Sequence, residues 1–104
     1  MIRTFMLYPN VEGVRFDHGY YLNKHLPMVK SCFGLALKGL NVDKGIVGGA
    51  PGTPPPYIIA AQMTFESIEV FQEAFAPHAQ TILSDIPNFT DLQPIMMIGE
   101  IIHC

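Results

Sequence analysis

Several features that would direct the function of a small protein are scarce in this sequence. The chain has no tryptophan and only two cysteines, Cys32 and Cys104, which are too few for a disulfide-stabilised scaffold. Charged residues make up only 14% of its 104 residues. The six basic side chains are scattered along the chain and form no basic stripe, so we expect no nucleic-acid partner. Both thiols are expected to be free, as in a reducing cytoplasm.

Long apolar segments and familiar catalytic motifs are missing as well. The longest apolar runs have the length of a strand, well below the roughly 20 residues that a membrane-spanning helix needs, so we expect no membrane association. The first residues lack the apolar core and cleavage site of a signal peptide, which favours a cytoplasmic protein. There is no phosphate-binding loop, dinucleotide-binding fingerprint, serine–histidine–acid motif or Cys-x-x-Cys.

What the chain does have is a high apolar content for its length. Hydrophobic residues account for 49% of the sequence. The length predicts one domain, residues 1–104, and a domain of this size can bury only a small core. We therefore expect part of its apolar surface to be covered by a second copy of the chain.

The spacing of apolar residues, glycines and prolines predicts four strands and two helices. The strands are expected over residues 2–8, 35–47, 57–65 and 94–103, with the second at an edge because glycines interrupt it. The first helix is predicted to begin near Asp17, to break at Pro27 and to end at Gly34. The second is expected to begin after Ser67, to be interrupted at Pro77 and to end before Pro87.

This order of elements, β-α-β-β-α-β, predicts an α+β fold of ferredoxin-like topology. In that fold two helices cover one face of a four-stranded antiparallel sheet. Strands 1, 3 and 4 carry apolar side chains on both faces, so the second face also needs a cover. Packing of two such sheets face to face supplies it, which predicts a homodimer.

Two segments resemble those of a known family. One is YYLNKHLP (residues 20–27), a tyrosine pair followed by His-x-Pro, and the other is DIPNFTDLQP (residues 85–94), just before the final strand. Both are similar to the EthD family, named for ethyl tert-butyl ether degradation, in the dimeric α+β barrel superfamily. The resemblance implies a cytoplasmic homodimer with a pocket between each sheet and its helices, or in the barrel between subunits. It implies no single reaction, because relatives include degradation and tailoring proteins, cofactor-free oxygenases and haem-binding barrels.

Tyr21 and His25 are the candidate catalytic residues. They lie at positions i and i+4 of the first helix, so they share one face, where a pocket is expected. Histidine can move a proton near neutral pH, and a phenol can orient a carbonyl or hydroxyl. The alternative for His25 is a structural bond to a backbone carbonyl that Pro27 leaves free. His18 lies about 10 Å further along the axis, so the two histidines form no metal site by themselves.

Four further residues are candidates for substrate binding: Tyr20, His78, Asp85 and Asn88. The alternative for His78 is a half-buried histidine with its hydrogen bonds satisfied. For Asp85 and Asn88 it is capping of the turns around Pro87. Phe89, in the same segment, is expected to be buried and to fix the segment in place.

The function predicted from these features is binding of a small, apolar organic molecule, with or without enzymatic turnover, and without a metal or cofactor. One alternative is a non-catalytic accessory protein of a catabolic pathway. The other is a haem-binding relative in which a histidine would be the axial ligand.

Overall fold

The computed structural model describes all of residues 1–104, and its centre is an antiparallel sheet of four strands. The strands are β1 (Ile2–Pro9), β2 (Gly39–Lys44), β3 (Tyr57–Phe65) and β4 (Ile95–Glu100). They lie in the order β2-β3-β1-β4, and each neighbouring pair is antiparallel. This is the predicted ferredoxin-like α+β fold, with β2 at an edge as expected.

The first helical segment consists of α1 (His18–Tyr20), a π turn (Tyr21–His25) and α2 (Leu26–Phe33). Asp17 caps its start, since the Asp17 side chain accepts a hydrogen bond from the Tyr20 N–H at 3.0 Å. The predicted break lies before Pro27 rather than at it. The π turn inserts one extra residue, and Pro27 falls in the first turn of α2.

The second helical segment is divided at its prolines, as predicted. Its parts are α3 (Ile68–Phe75), a 3₁₀ turn (Ala76–His78), α4 (Ala79–Asp85) and a second 3₁₀ turn (Ile86–Asn88). The Ser67 hydroxyl caps α3 by accepting from the Val70 N–H at 3.1 Å. None of the helices is long and apolar enough to cross a membrane.

Two predicted strands were too long. The chain turns once more in a 3₁₀ conformation (Gly34–Ala36) before β2 begins, so the predicted start at residue 35 is wrong. The same strand ends before Gly45, where an added Cβ would lie only 2.8 Å from Pro55 Cβ. β4 ends at Glu100 because its pairing partner on β1, Ile2, is the first residue of that strand.

The buried core has two ends. The first, here called the phenylalanine end, consists of Ile2, Val29, Phe33, Phe65, Phe71 and Ile82. The second, the tyrosine end, consists of Tyr8, Tyr21, Ile59, Ile86 and Phe89. Both ends lie between the sheet and the helical segments, and together they hold the two helical segments on one face.

The opposite face of the sheet has no cover within one chain. The molecule is only 19 Å thick in its shortest dimension, which is the thickness of one sheet and one helix layer. Phe5 and Leu7 of β1 point to this outer face beside their register partners Met97 and Ile95 of β4. Met97 is 53% exposed and Ile95 49%. The β1–β4 part of this face is thus apolar, as the sequence predicted, whereas its β2–β3 part also carries Asn41, Asp43, Gln62 and Thr64.

Candidate functional site

The two segments that are far apart in sequence, 20–27 and 85–94, meet at the tyrosine end of the core. Asp85 lies at their meeting point and accepts hydrogen bonds from three side chains. The Tyr20 hydroxyl donates to Asp85 Oδ1 at 2.6 Å, and Asn88 Nδ2 donates to the same oxygen at 2.9 Å. His25 Nδ1 lies 2.8 Å from Asp85 Oδ2. We call these four residues the Asp85 cluster.

The cluster is held by a strap between the loop before α1 and the turn after α4. Arg15 donates to the Pro87 carbonyl at 2.6 Å and pairs with Asp91 at 3.1 Å. The Thr90 hydroxyl donates back to the Arg15 carbonyl at 2.7 Å. Asp17, the cap of α1, donates its N–H to the Phe89 carbonyl at 2.7 Å. These bonds fix Asp85 and Asn88 relative to Tyr20 and His25.

The His25 ring is enclosed by aromatic side chains. It is 4% exposed, stacks on Tyr21 with ring centroids 5.6 Å apart and lies 4.6 Å from the Phe89 ring. Phe89 is fully buried, as predicted. Since the Asp85 carboxylate can only accept, Nδ1 of a neutral His25 carries the proton, and Nε2 keeps the free lone pair.

Burial and hydrogen bonding favour a neutral histidine beside an ionised carboxylate. Burial lowers the pKa of His25, and this effect outweighs the hydrogen bond to Asp85, which by itself would raise it. For Asp85, burial by itself would raise the pKa, but the hydrogen bonds from Tyr20, His25 and Asn88 outweigh burial and lower it. The bond to Asp85 raises the pKa of Tyr20, so this phenol stays protonated.

A narrow, partly enclosed cavity of about 40 Å³ lies between the two ends of the core. Fourteen of its 16 lining residues are hydrophobic, namely Phe5, Met6, Tyr8, Tyr21, Leu26, Val29, Phe33, Leu40, Ala61, Met63, Phe71, Phe75, Ile82 and Met96. The other two are Thr4 and His25. The cavity holds roughly three water molecules. An organic ligand therefore requires the cavity walls to move apart.

The structure brings most of the candidate residues together. His25 and Tyr21 line the cavity at the predicted place beside the first helical segment. Tyr20, Asp85 and Asn88 lie behind His25 and contact it or one another rather than the cavity. His78 lies in the 3₁₀ turn after α3, joins neither the cluster nor the cavity lining, and makes no side-chain bond to either. That any of these residues contacts a substrate stays a prediction.

Two alternatives from the sequence are wrong. His25 does not bond a backbone carbonyl near Pro27, because its Nδ1 partner is the Asp85 side chain. Asp85 does not cap the turn that follows it, because its two oxygens are taken by side-chain donors. No three side chains of histidine, cysteine, aspartate or glutamate come together in a group that could hold a metal ion.

Thr4 is a site residue that the sequence analysis missed. Its hydroxyl is buried, lines the cavity and has no hydrogen-bond partner in the chain. The available signal was a polar residue at an inward position of a strand whose other inward residues are Ile2, Met6 and Tyr8. A threonine at an inward strand position is usually a core residue whose hydroxyl has a hydrogen-bond partner within the fold.

Comparisons with known proteins agree with this fold. The EthD domain profile matches residues 14–93. The fold is similar to the crystal structure of an EthD-like protein of Ralstonia eutropha JMP134, with a TM-score of 0.93 and 40% identity over 98% of this chain and 92% of the other. No curated protein sequence matches the chain.

Two more distant structures share the fold. An ethyl tert-butyl ether (EthD) family protein of Bacillus halodurans C-125 gives a TM-score of 0.75 at 24% identity, over 98% of this chain and 99% of the other. A protein of Arabidopsis thaliana gives 0.71 at 16% identity, over 100% of this chain and 98% of the other. At these identities the likeness extends to the fold alone.

Proposed function

The chain belongs to the EthD family, and we propose that this member binds a small, mostly apolar organic molecule in the cavity and takes a proton from it with His25. The observation that carries the proposal is the position of His25, whose Nδ1 is bound by Asp85 at 2.8 Å while its ring lines an apolar cavity. A mostly apolar cavity with a few converging polar groups is the usual form of a small-molecule site.

The electrostatics of the pair suit a general base. Burial lowers the pKa of His25, so the imidazole is neutral and its Nε2 lone pair is available. When Nε2 takes a proton, the ionised Asp85 carboxylate stabilises the imidazolium that forms. A base oriented by a third group is a recurring arrangement in enzymes that move protons without a metal.

The proposal extends to the assembly and the compartment. A homodimer that packs the two outer sheet faces together would cover Phe5, Met97 and their neighbours and complete a dimeric barrel. A cytoplasmic location is supported by Cys32 and Cys104, which are both unpaired.

Ligand binding is tested with two neighbouring alanines of β3. Ala61 lines the cavity, whereas Ala60 lies on the opposite face of the sheet. Saturation-transfer NMR with acetophenone and 1-naphthol as probes is expected to detect binding to the wild type and to Ala60→Leu. Ala61→Leu fills the cavity, and binding should be lost. Equal binding to all three proteins would show that the probes bind elsewhere.

The proton-transfer role is tested with Asp85→Asn and His25→Gln. Small molecules that purify with the wild type are extracted, identified by mass spectrometry and returned to each protein. We expect the wild type to convert the bound compound, and both variants to lose about tenfold or more of that rate, as removal of a general base or its orienting group does. Binding without any chemical change would favour the non-catalytic accessory protein, and a haem absorption band would favour the haem-binding relative.

Dimerisation is tested by light scattering at micromolar concentration. The expected mass is about twice that of the chain, with an interface burying roughly 1,200 Å² or more. Met97→Glu, in the centre of β4 on the outer face, should shift the mass towards that of one chain because two charges would be buried without partners. A stable wild-type monomer would contradict the dimer.

A further inference from the structure

Thr4 is an unusual residue for the place it occupies. It is 2% exposed, lines the cavity, and its Oγ1 is buried without any hydrogen-bond partner in the chain. A buried hydroxyl without a partner is destabilising, and valine has the same shape without the polar atom. A threonine at this position is therefore explained best by a partner that the chain itself does not supply.

The remainder of the cavity wall excludes charged ligands. Apart from Thr4, His25 and the tyrosines Tyr8 and Tyr21, its lining residues are wholly apolar, and none is an aspartate, glutamate, lysine or arginine. Burial keeps His25 neutral by lowering its pKa. A carboxylate, phosphate or ammonium group would lose its hydration in this cavity and find no opposite charge.

We propose that the ligand is a small, neutral carbonyl compound whose oxygen accepts a hydrogen bond from Thr4 Oγ1 while a C–H next to the carbonyl faces His25 Nε2. This rests on the function proposed above and names its substrate class. A carbonyl accounts for Thr4 and His25 at once. Its oxygen needs a donor, which the Thr4 hydroxyl supplies, and it makes the neighbouring C–H acidic enough for a histidine base.

The step is balanced without an oxidant or a cofactor. The Nε2 lone pair of His25 takes the proton from the carbon, and the C–H electron pair becomes the C=C bond of an enolate. The former C=O π electron pair moves to the oxygen, and a hydrogen bond from the Thr4 O–H stabilises the negative charge that develops there. The new imidazolium faces the Asp85 carboxylate at 2.8 Å. The Nε2 proton then exchanges with solvent, and return of the new proton from His25 to the carbon completes the exchange.

A route into the cavity is present beside the π turn. Leu26 and Leu40 line the cavity on one side and an open surface groove of about 420 Å³ on the other. Leu22, Pro27 and Lys30 complete the outer groove. Movement of two leucine side chains therefore connects the cavity to solvent, and a neutral molecule can pass Lys30 without forming an ion pair.

The test is hydrogen–deuterium exchange of the acetophenone methyl group in D₂O, followed by proton NMR. The wild type is expected to accelerate the exchange, and His25→Gln to abolish the acceleration. Thr4→Val removes only the hydroxyl and should lose about tenfold or more, the equivalent of one good hydrogen bond in the transition state. Thr64→Val, on the outer face of the sheet, is the matched control and should exchange like the wild type.

Stability and a charged probe give independent readings. Because Thr4 Oγ1 has no partner within the chain, Thr4→Val should raise the melting temperature, and benzoate should bind at least about tenfold more weakly than acetophenone. If Thr4→Val catalyses the exchange as fast as the wild type, or if benzoate binds as tightly as acetophenone, the carbonyl assignment is wrong. If the exchange still depends on His25 in that case, the proposed function remains supported. If the wild type binds 1-phenylethanol but does not exchange acetophenone, the substrate class is a hydroxyl compound instead.

Discussion

The two ends of the core are closed to solvent to a similar degree, yet they are built from different side chains. At the phenylalanine end, Phe33, Phe65 and Phe71 pack edge to face or tilted, with ring centroids 5.0 to 6.1 Å apart and no polar atom among them. At the tyrosine end, Tyr8 and Tyr21 bring hydroxyls into the core, and the Asp85 cluster lies against it. Burial alone therefore does not distinguish a purely apolar region of the core from one that carries polar groups.

The difference is visible in what each end holds in place. The phenylalanine end joins α2 and α3 to the sheet through apolar contacts, which are non-directional. The tyrosine end fixes the orientation of one imidazole ring through a 2.8 Å hydrogen bond and aromatic contacts on its faces. Substitutions at the two ends should then have similar effects on stability and different effects on the site.

The largest effect is expected from emptying either end. Phe89→Ala and Phe65→Ala each remove a fully buried ring, so each should lower the free energy of unfolding by about 3–5 kcal/mol in urea denaturation. The two variants should differ in their effect on the pKa of His25. Phe89→Ala removes a ring that contacts His25, so the pKa of His25 from NMR titration should return towards its ordinary value, whereas Phe65→Ala should leave it lowered. A loss below about 1 kcal/mol for Phe89→Ala would show that its segment is peripheral.

A smaller effect on the free energy of unfolding is expected from a change of pH, and only groups at the tyrosine end should cause it. Because the folded pKa of His25 is lowered from 6.5, the unfolded chain binds more protons than the folded chain below that value. The contribution of His25 to the free energy of unfolding should thus be complete above about pH 6.5. It should be lost as the pH decreases from there through the folded pKa. Asp85, whose pKa is lowered from 3.8, adds a second loss only at more acidic pH.

The measurement is urea denaturation at about pH 7.5 and about pH 5.5. His25→Gln should flatten the difference between the two conditions. His78→Gln, which changes a histidine outside the cluster, should keep the wild-type difference and serves as the control. A wild-type stability that is the same at both values would contradict a buried neutral His25.

Local sequence signals predicted the fold but only part of the site. Ser67, Pro77 and Gly34 act on their neighbours in sequence, Ser67 by a hydrogen bond, Pro77 by its missing N–H and Gly34 by its positive φ. Their effects on helix boundaries could therefore be predicted from the chain. The π turn could not, because its apolar spacing is that of an ordinary helix. The 2.8 Å bond from His25 to Asp85 joins residues 60 positions apart, and capping of a nearby turn was the simpler local interpretation of Asp85.

Thr4 illustrates the other limit of sequence analysis. Its importance follows from the absence of a partner for one buried oxygen, and that absence depends on every residue packed around it. A single threonine in an apolar strand gives no such information, since its hydroxyl often finds a partner in the fold. The edge-to-face packing of Phe16, Tyr8 and Phe89 around the tyrosine end was likewise beyond prediction from spacing.

The smallest effect, and the most specific, is expected from Tyr20→Phe. This change removes one of three hydrogen bonds to Asp85 and leaves the packing of the ring against Phe89 in place. The Tyr20 side chain is partly exposed, so the melting temperature should fall only slightly. Because the lost bond favours the ionised carboxylate, the pKa of Asp85 should rise, and proton transfer by His25 should weaken less than in Asp85→Asn. Tyr57→Phe, at the start of β3 and outside the cluster, is the matched control. If Tyr20→Phe abolished the activity while Asp85→Asn retained it, Tyr20 itself would be the group that contacts the substrate.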